Sequence, residues 1–182
     1  MEIEKWLYFK EVDSTSSWLK LNAKRLVHNA TVVWAKEQSK GRGRFERRWV
    51  SEPGGLYFSI LLLPDLERVR PEDLVASFSH FLVDYAAKNW ELSLWVKPPN
   101  DVYYQDKKLA GVLIENIFMG ERLEACVFGV GVNVNQVFTR DFDFGSENLG
   151  YGPVSLREIL GVKLDLESLL KDLVGNWKPP LG

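Results

Sequence analysis

Between Ser39 and Trp49 the chain reads "SKGRGRFERRW": Lys40, Arg42, Arg44, Arg47 and Arg48 surround Gly41 and Gly43, with Glu46 as the one acid. Five cations less one anion give this segment a charge of +4, in a chain whose formal net charge is −2. Arginine pairs bidentately with phosphate or carboxylate, and glycine lets backbone amides come close to an anion. The segment is therefore either an anion site or a solvated charged loop. Two well-understood phosphate loops do not apply. No Gly-Lys pair is followed by Ser or Thr, as a Walker loop requires. Glu46 stands where the dinucleotide fingerprint has its third glycine, and the segment does not open a helix pattern.

Three further segments carry residues suited to the same chemistry. In "VKPPNDVYY" the pair Asn100-Asp101 brings a carboxamide and a carboxylate to a strand junction; Asp101 suits Mg²⁺ with substrate phosphates, and equally suits an ordinary turn. In "DKKLAGVLIE" Lys108 precedes the small pair Ala110-Gly111, which leaves room for a ligand against a strand. In "GVGVNVN" two glycines interrupt a β-run, which marks a bulge or a close approach. Alternation puts Asn133 and Asn135 on one face.

Other chemistries are poorly supplied. The chain holds two histidines, His28 and His80, and one cysteine, Cys126. That excludes an intramolecular disulfide and argues against a triad hydrolase or a Cys/His metal centre. A slightly acidic chain is not built to coat nucleic acid. A single thiol suits a reducing cytoplasm, the opening "MEIEKWLYFK" lacks a signal-peptide apolar run, and no apolar run is long enough to span a membrane.

The elements that must hold these residues follow from periodicity. Residues 5–10 read as a strand, followed by a turn and a helix capped by Asp13 or Ser14. Residues 30–38 and 56–63 read as strands on either side of the basic loop. Pro71 opens the strongest helix pattern, "PEDLVASFSHFLVDYAAKNW", with Leu74, Phe78 and Leu82 at helical spacing. Residues 92–97 read as a strand that "PPND" interrupts and 102–104 resumes. Two long paired strands meet at Met119-Gly120. Residues 136–153 read as a long loop, 155–160 and 165–176 as short helices, and "WKPPLG" as a tail. The length of 182 residues, 46% of them hydrophobic, suits one domain with a real core. Hairpin-spaced strands exclude an all-parallel sheet. The expectation is a single α+β domain with a mixed, mostly antiparallel sheet and packed helices.

Taken in order, "DST" (13–15), "GRGRFERRW" (41–49), "KPPND" (97–101), "KKLAGVLIE" (107–115) and "GVGVNVN" (129–135) resemble the biotin protein ligases, which attach biotin to a carrier-protein lysine. The resemblance covers roughly Val12 to Asn135. It implies a class II aminoacyl-tRNA synthetase/biotin ligase-like fold. It also implies the substrates ATP and biotin, Mg²⁺, and a biotin carboxyl carrier protein or domain as acceptor. By resemblance, Ser14, Thr15, Gln38, Gly41, Arg42, Lys108 and Gly111 bind biotin. Arg44, Arg47, Trp49, Lys97, Asn100 and Asn133 bind ATP, and Asp101 lies near Mg²⁺. Arg42, Arg44 and Lys108 are the catalytic set. The reading expects a cytoplasmic enzyme with no nucleic-acid or membrane partner, and a long sheet edge compatible with a homodimer.

The chain departs from the family pattern at three points. Glu46 replaces a loop glycine, Pro98 replaces a tryptophan, and Ser16 stands where an amide residue is common. In extent, residues 1–182 match the catalytic core. A preceding DNA-binding domain and a following small β-barrel, which many members carry, are expected to be absent. Two rival readings follow: an impaired or non-catalytic relative that binds biotin or its adenylate, and a lipoate–protein ligase. A nucleic-acid binder using the arginine loop is a third, disfavoured by the net acidity.

Overall fold

The computed structural model describes residues 3–26, 31–63, 70–139 and 152–180, apart from the side chains of Glu46, Met119 and Arg122. Seven strands form one sheet: β1 (Lys5–Val12), β2 (Thr31–Gln38), β3 (Leu56–Leu62), β4 (Leu94–Lys97), β5 (Asp101–Tyr104), β6 (Lys107–Met119) and β7 (Arg122–Val132). Their lateral order is β1-β2-β3-β7-β6-β5-β4. Only β1 and β2 run parallel; every other neighbouring pair is antiparallel. The mixed, mostly antiparallel α+β sheet expected from the sequence is the one observed.

Four α-helices complete the described chain: α1 (Thr15–Asn22), α2 (Pro71–Trp90), α3 (Leu156–Leu160) and α4 (Leu166–Asn176). Helix α2 starts on Pro71, whose fixed φ suits a first turn, with Glu72 and Asp73 beside the positive end of the helix dipole. Leu74, Phe78, Leu82 and Ala86 form its buried stripe. They pack on Phe58 and Ile60 of β3 and Phe128 of β7 within the main core. A smaller cluster on the opposite sheet face joins Leu19 of α1 to Val33, Leu61 and Val127. Strand β3 is buried along its whole length because both faces are covered.

Three sequence-based expectations are corrected. Residues 94–97 and 101–104 are not one interrupted strand: "PPND" is a hairpin turn, and β5 folds back antiparallel on β4, Lys97 opposite Asp101. Prolines with Asn and Asp read equally as interruption or reversal, and only strand pairing separates the two. "WKPPLG" is not wholly a tail. Trp177 is 1% exposed, stacked on Phe128 with ring centroids 4.8 Å apart and edge-on to Phe78 at 5.1 Å. Removing such a ring costs about 3–5 kcal/mol. Asn133 and Asn135 do not share one strand face, because β7 ends at Val132; Asn133 lines the cavity described below and Asn135 does not. Asn135 exchanges side-chain hydrogen bonds with the Leu164 backbone at 2.8 and 2.9 Å. Within the expected long loop, residues 140–151 lie outside the described set, as does His28.

Cys126 is fully buried in β7 and its Sγ donates to Asn116 Oδ1 at 3.4 Å. Burial pushes the thiol up to about 11. An acid held protonated by the fold favours the native state below its unfolded pKa, about 8.5, and loses that contribution as pH rises towards 11. Native protein at pH 8 is therefore expected to resist iodoacetamide, with one equivalent reacting after denaturation. Rapid native alkylation would contradict the buried placement. Among the described residues, no helix is long and apolar enough to cross a membrane.

Candidate active site

The sheet face opposite α2 carries a cavity of about 730 Å³. Its floor is glycine. A Cβ on Gly131 would lie 2.6 Å from the Trp49 indole, one on Gly111 3.0 Å from it, and one on Gly129 2.7 Å from Ser16 Oγ. The glycines in "GVGVNVN" therefore do mark a close approach, and the approaching groups include the protein's own Trp49 and Ser16. The sheet does bulge, but between Val102 and Tyr103 and between Ile117 and Phe118 rather than at these glycines.

One wall is made of hydroxyls and an amide. Ser14 caps α1, its Oγ accepting from Ser17 N–H at 3.3 Å. The next residue, Thr15, donates its backbone N–H to Gln38 Oε1 at 2.9 Å and its hydroxyl to the same oxygen at 3.1 Å. Gln38 Nε2 donates to Ser51 Oγ at 2.8 Å. Thr15 and Ser16 each contact Ser59 Oγ, at 2.7 and 2.9 Å. Ser14, Thr15, Ser16 and Ser59 are all buried. Capping and wall-lining coexist at Ser14 because the cap uses a lone pair, not the hydroxyl hydrogen.

The basic segment is a hairpin. Gly43 N–H donates to Arg47 O at 2.7 Å, Trp49 N–H donates to Gly41 O at 3.0 Å, and Arg42 pairs antiparallel with Arg48. The tip turns at Phe45, whose φ of 55° is left-handed and therefore strained for a side chain. Phe45 is 77% exposed, with the Arg44 and Arg47 guanidiniums 5.0 and 5.9 Å from its ring centroid. Gly41 is buried at the hairpin base, where a Cβ would meet Trp49 O at 2.2 Å.

Three anchors fix the cationic side chains. Glu115 Oε1 accepts from Arg42 at 2.9 Å and from Lys20 at 3.0 Å, joining the hairpin, β6 and α1. Arg44 donates to Asn100 Oδ1 at 3.3 Å, and Asn100 Nδ2 donates to Val112 O at 2.8 Å. Lys108 Nζ lies 2.8 Å from Asp101 Oδ2 and 5.2 Å from the Trp49 ring. The Lys108 carbonyl accepts from Asn133 Nδ2 at 3.2 Å. Lys97 lies 5.5 Å from the Tyr103 ring centroid at the rim. Among the described residues, two buried polar atoms lack a partner, Trp49 Nε1 and Glu115 Oε2.

Every expected site residue lines the cavity except Gly41, which shapes its edge from beneath the hairpin. Arg42, Arg44, Arg47, Arg48, Lys97 and Lys108 face one carboxylate, Asp101, among the described lining residues. Such a cavity suits a ligand with several negative charges. Glu115 and Ser59 were missed as site residues. Ser59 had a signal, as the one polar residue in "LYFSILL". Glu115 closes the motif at 107–115, but its two cationic partners are 95 and 73 positions away, so nothing local pointed to the clamp.

The model of the biotin/lipoate A/B protein ligase family matches residues 8–133. The chain belongs to this family. Among curated relatives, the bifunctional ligase/repressor BirA of Bacillus subtilis is 28% identical over 169 residues, spanning 92% of this chain and 51% of the relative. The biotin–[acetyl-CoA-carboxylase] ligase of Paracoccus denitrificans is 34% identical over 157 residues, spanning 82% and 63% respectively. A solved biotin protein ligase from Aquifex aeolicus, in complex with biotin and ATP, superposes with a TM-score of 0.77 at 34% identity, over 95% of this chain and 68% of that one. The chain spans about half the length of the ligase/repressors it matches. The family match takes in four of the five motifs whole and ends inside the fifth, at Asn133. Within this biotin/lipoate ligase core, the hydroxyl wall and the cationic side meet over one glycine floor.

Proposed function

We propose that this chain catalyses ATP-dependent ligation of biotin to a lysine of a biotin carboxyl carrier protein through biotinyl-5′-AMP. The observation that carries the reading is that one cavity holds both a polar neutral wall and six cations. One end suits an uncharged hydrogen-bonding head; the other suits a carboxylate beside a triphosphate. The Aquifex aeolicus relative, at 34% identity, is described with biotin and ATP bound, which supports the same ligand pair here.

The wall of Ser14, Thr15 and Gln38 takes the ureido head, with Gly41 and Gly111 setting the space around it. Arg42 and Lys108 hold the biotin carboxylate against the α-phosphate. Arg44, Arg47 and Lys97 take the phosphates, Asn100 orients Arg44, and Trp49 and Asn133 lie at the adenine. A carboxylate oxygen attacks the α-phosphorus, the bond to the β-phosphate oxygen breaks, and pyrophosphate leaves. The acceptor amine then attacks the acyl carbon and AMP leaves. Neither step needs a nucleophile from the protein. Positioning and charge neutralisation carry the rate, which matches a site rich in arginine and without histidine among its described lining residues.

Asp101 is the sole carboxylate among the described lining residues and is paired with Lys108. No group of three or more His, Cys, Asp or Glu placed to hold a metal ion occurs among the described residues. That donor set fits a Mg²⁺ carried on the nucleotide phosphates, with Asp101 its one protein carboxylate; the ion would neutralise phosphate charge. The reading places the protein in the cytoplasm, which the single buried thiol supports.

The test is exchange of labelled pyrophosphate into ATP with Mg²⁺ present, which requires no acceptor. Exchange is expected with biotin and not with lipoate or without acid. Exchange with lipoate alone would make it a lipoate ligase. Biotin binding without exchange would make it a non-catalytic binder.

A further inference from the structure

We infer that Ser59 is a positioning residue that fixes the hydrogen-bond polarity of the hydroxyl wall and so sets its affinity for a cyclic urea. This inference rests on the function proposed above. The argument starts from a donor that has no choice. The Thr15 backbone N–H lies 2.9 Å from the Gln38 side chain, so that Gln38 atom is the acceptor Oε1, and Nε2 faces Ser51 Oγ. Oε1 carries no hydrogen, so the Thr15 hydroxyl, 3.1 Å away, donates to it. With that hydrogen committed, Ser59 must donate in its 2.7 Å contact with Thr15. Ser16 must then donate in its 2.9 Å contact with Ser59. The chain of hydrogens runs one way, from Ser16 to Ser59 to Thr15 to Gln38.

What remains for a ligand is defined by that direction. Ser14 accepts from Ser17 N–H and donates its hydroxyl hydrogen to no described residue. Gln38 Nε2 has a second hydrogen beyond the one given to Ser51. Ser16 and Thr15 have lone pairs and no hydrogen left for a ligand, and Ser59, behind them, holds both in that state. Two donors beside a row of obligate acceptors complement one carbonyl flanked by N–H groups, which is a cyclic urea. Ser59 sits in the middle of the relay, 0% exposed on a strand whose other residues are apolar. Beneath it, a Cβ on Gly129 would fall 2.7 Å from Ser16 Oγ and 3.5 Å from Ser59 Oγ, so the floor keeps the relay free of side chains.

Without the Ser59 oxygen, Ser16 has no acceptor. Its hydrogen is free to rotate towards the ligand's own N–H, and Thr15 loses the bond it accepts. Ser59→Ala is expected to raise KM for biotin about tenfold, the weight of one buried hydrogen bond, with kcat and KM for ATP within about twofold. Ser59→Cys, which keeps the volume and a weak donor, is expected to fall between and serves if the alanine variant does not fold. Desthiobiotin, which keeps the urea, should lose affinity in parallel. Octanoate, an acid without it, should inhibit exchange unchanged. Equal loss for octanoate would reduce Ser59 to a packing residue and overturn the inference. Unchanged biotin KM in both variants would overturn it alone, whereas wild-type protein that fails to bind biotin would overturn the function on which it rests.

Discussion

Lys108→Ala is expected to lower biotin-dependent ATP–pyrophosphate exchange by about 10²–10³-fold, the usual loss when one pre-organised group aimed at developing charge is removed, with the fold intact. The fold should survive because the strand start is held by its backbone. Lys108 N–H donates to Gly152 O at 3.0 Å, and Val154 N–H donates to Lys108 O at 3.0 Å. The side chain contributes no core packing; it spans from the strand to Asp101 and over Trp49. The loss has two possible sources, the missing cation and an Asp101 carboxylate left without its partner beside incoming phosphates. A double-mutant cycle separates them. If the missing cation dominates, adding Asp101→Asn to Lys108→Ala restores little. If unpaired Asp101 dominates, the double variant recovers most of the rate. Full exchange by Lys108→Ala would remove the residue from the catalytic set.

Gly41→Ala is expected to cost about a hundredfold in exchange, on the scale of a 1 Å misplacement in a pre-organised site, while Gly43→Ala two residues away is nearly silent. Both glycines belong to the "GRGR" motif, but the space around them differs. A Cβ at Gly41 would lie 2.2 Å from Trp49 O, 2.4 Å from Ser51 Oγ and 3.2 Å from Gln38 Nε2. The first of these is backbone, so the hairpin base must open. The other two are the bond that orients Gln38, so biotin KM should rise with the loss of rate. At Gly43 the nearest atom is Arg47 O at 3.5 Å, ordinary contact, and no positive φ forbids a side chain. Circular dichroism and melting should show both variants folded, because the hairpin lies outside the two apolar core clusters. Equal activities for the two variants would refute the close-packing role of Gly41.

Much of the framework is local and was therefore legible. The stripe of Leu74, Phe78 and Leu82 behind Pro71 marks α2 within its observed span. The alternating and continuous apolar runs mark β2, β3, β6 and β7, and Gly120, at φ 61°, turns the hairpin between the last two. Each of these signals needs only a few neighbouring residues. The residue types and order of five motifs likewise pointed to the cavity, and thirteen of the fourteen site residues implied by the resemblance line it. Motif glycines, arginines and amides carry their chemistry in their identity.

Pairing between distant segments was not legible, because periodicity records which face a residue prefers and not what it will meet there. The place of β7 between β3 and β6 and the burial of Trp177 depend on contacts across the whole chain. So do the partners of the site. Arg44 meets Asn100 56 positions on, and Thr15 meets Ser59 44 positions on. The amino-acid sequence by itself determined the cationic loop, the glycines that mark a close approach and the hydroxyl residues. Only the tertiary structure decided that Trp49 rests on Gly111 and Gly131, that Glu115 clamps Arg42, and that Ser59 closes a one-way relay. Those depend on distances of about 3 Å between groups on segments far apart in the chain, which form only once the sheet has fixed its order and register.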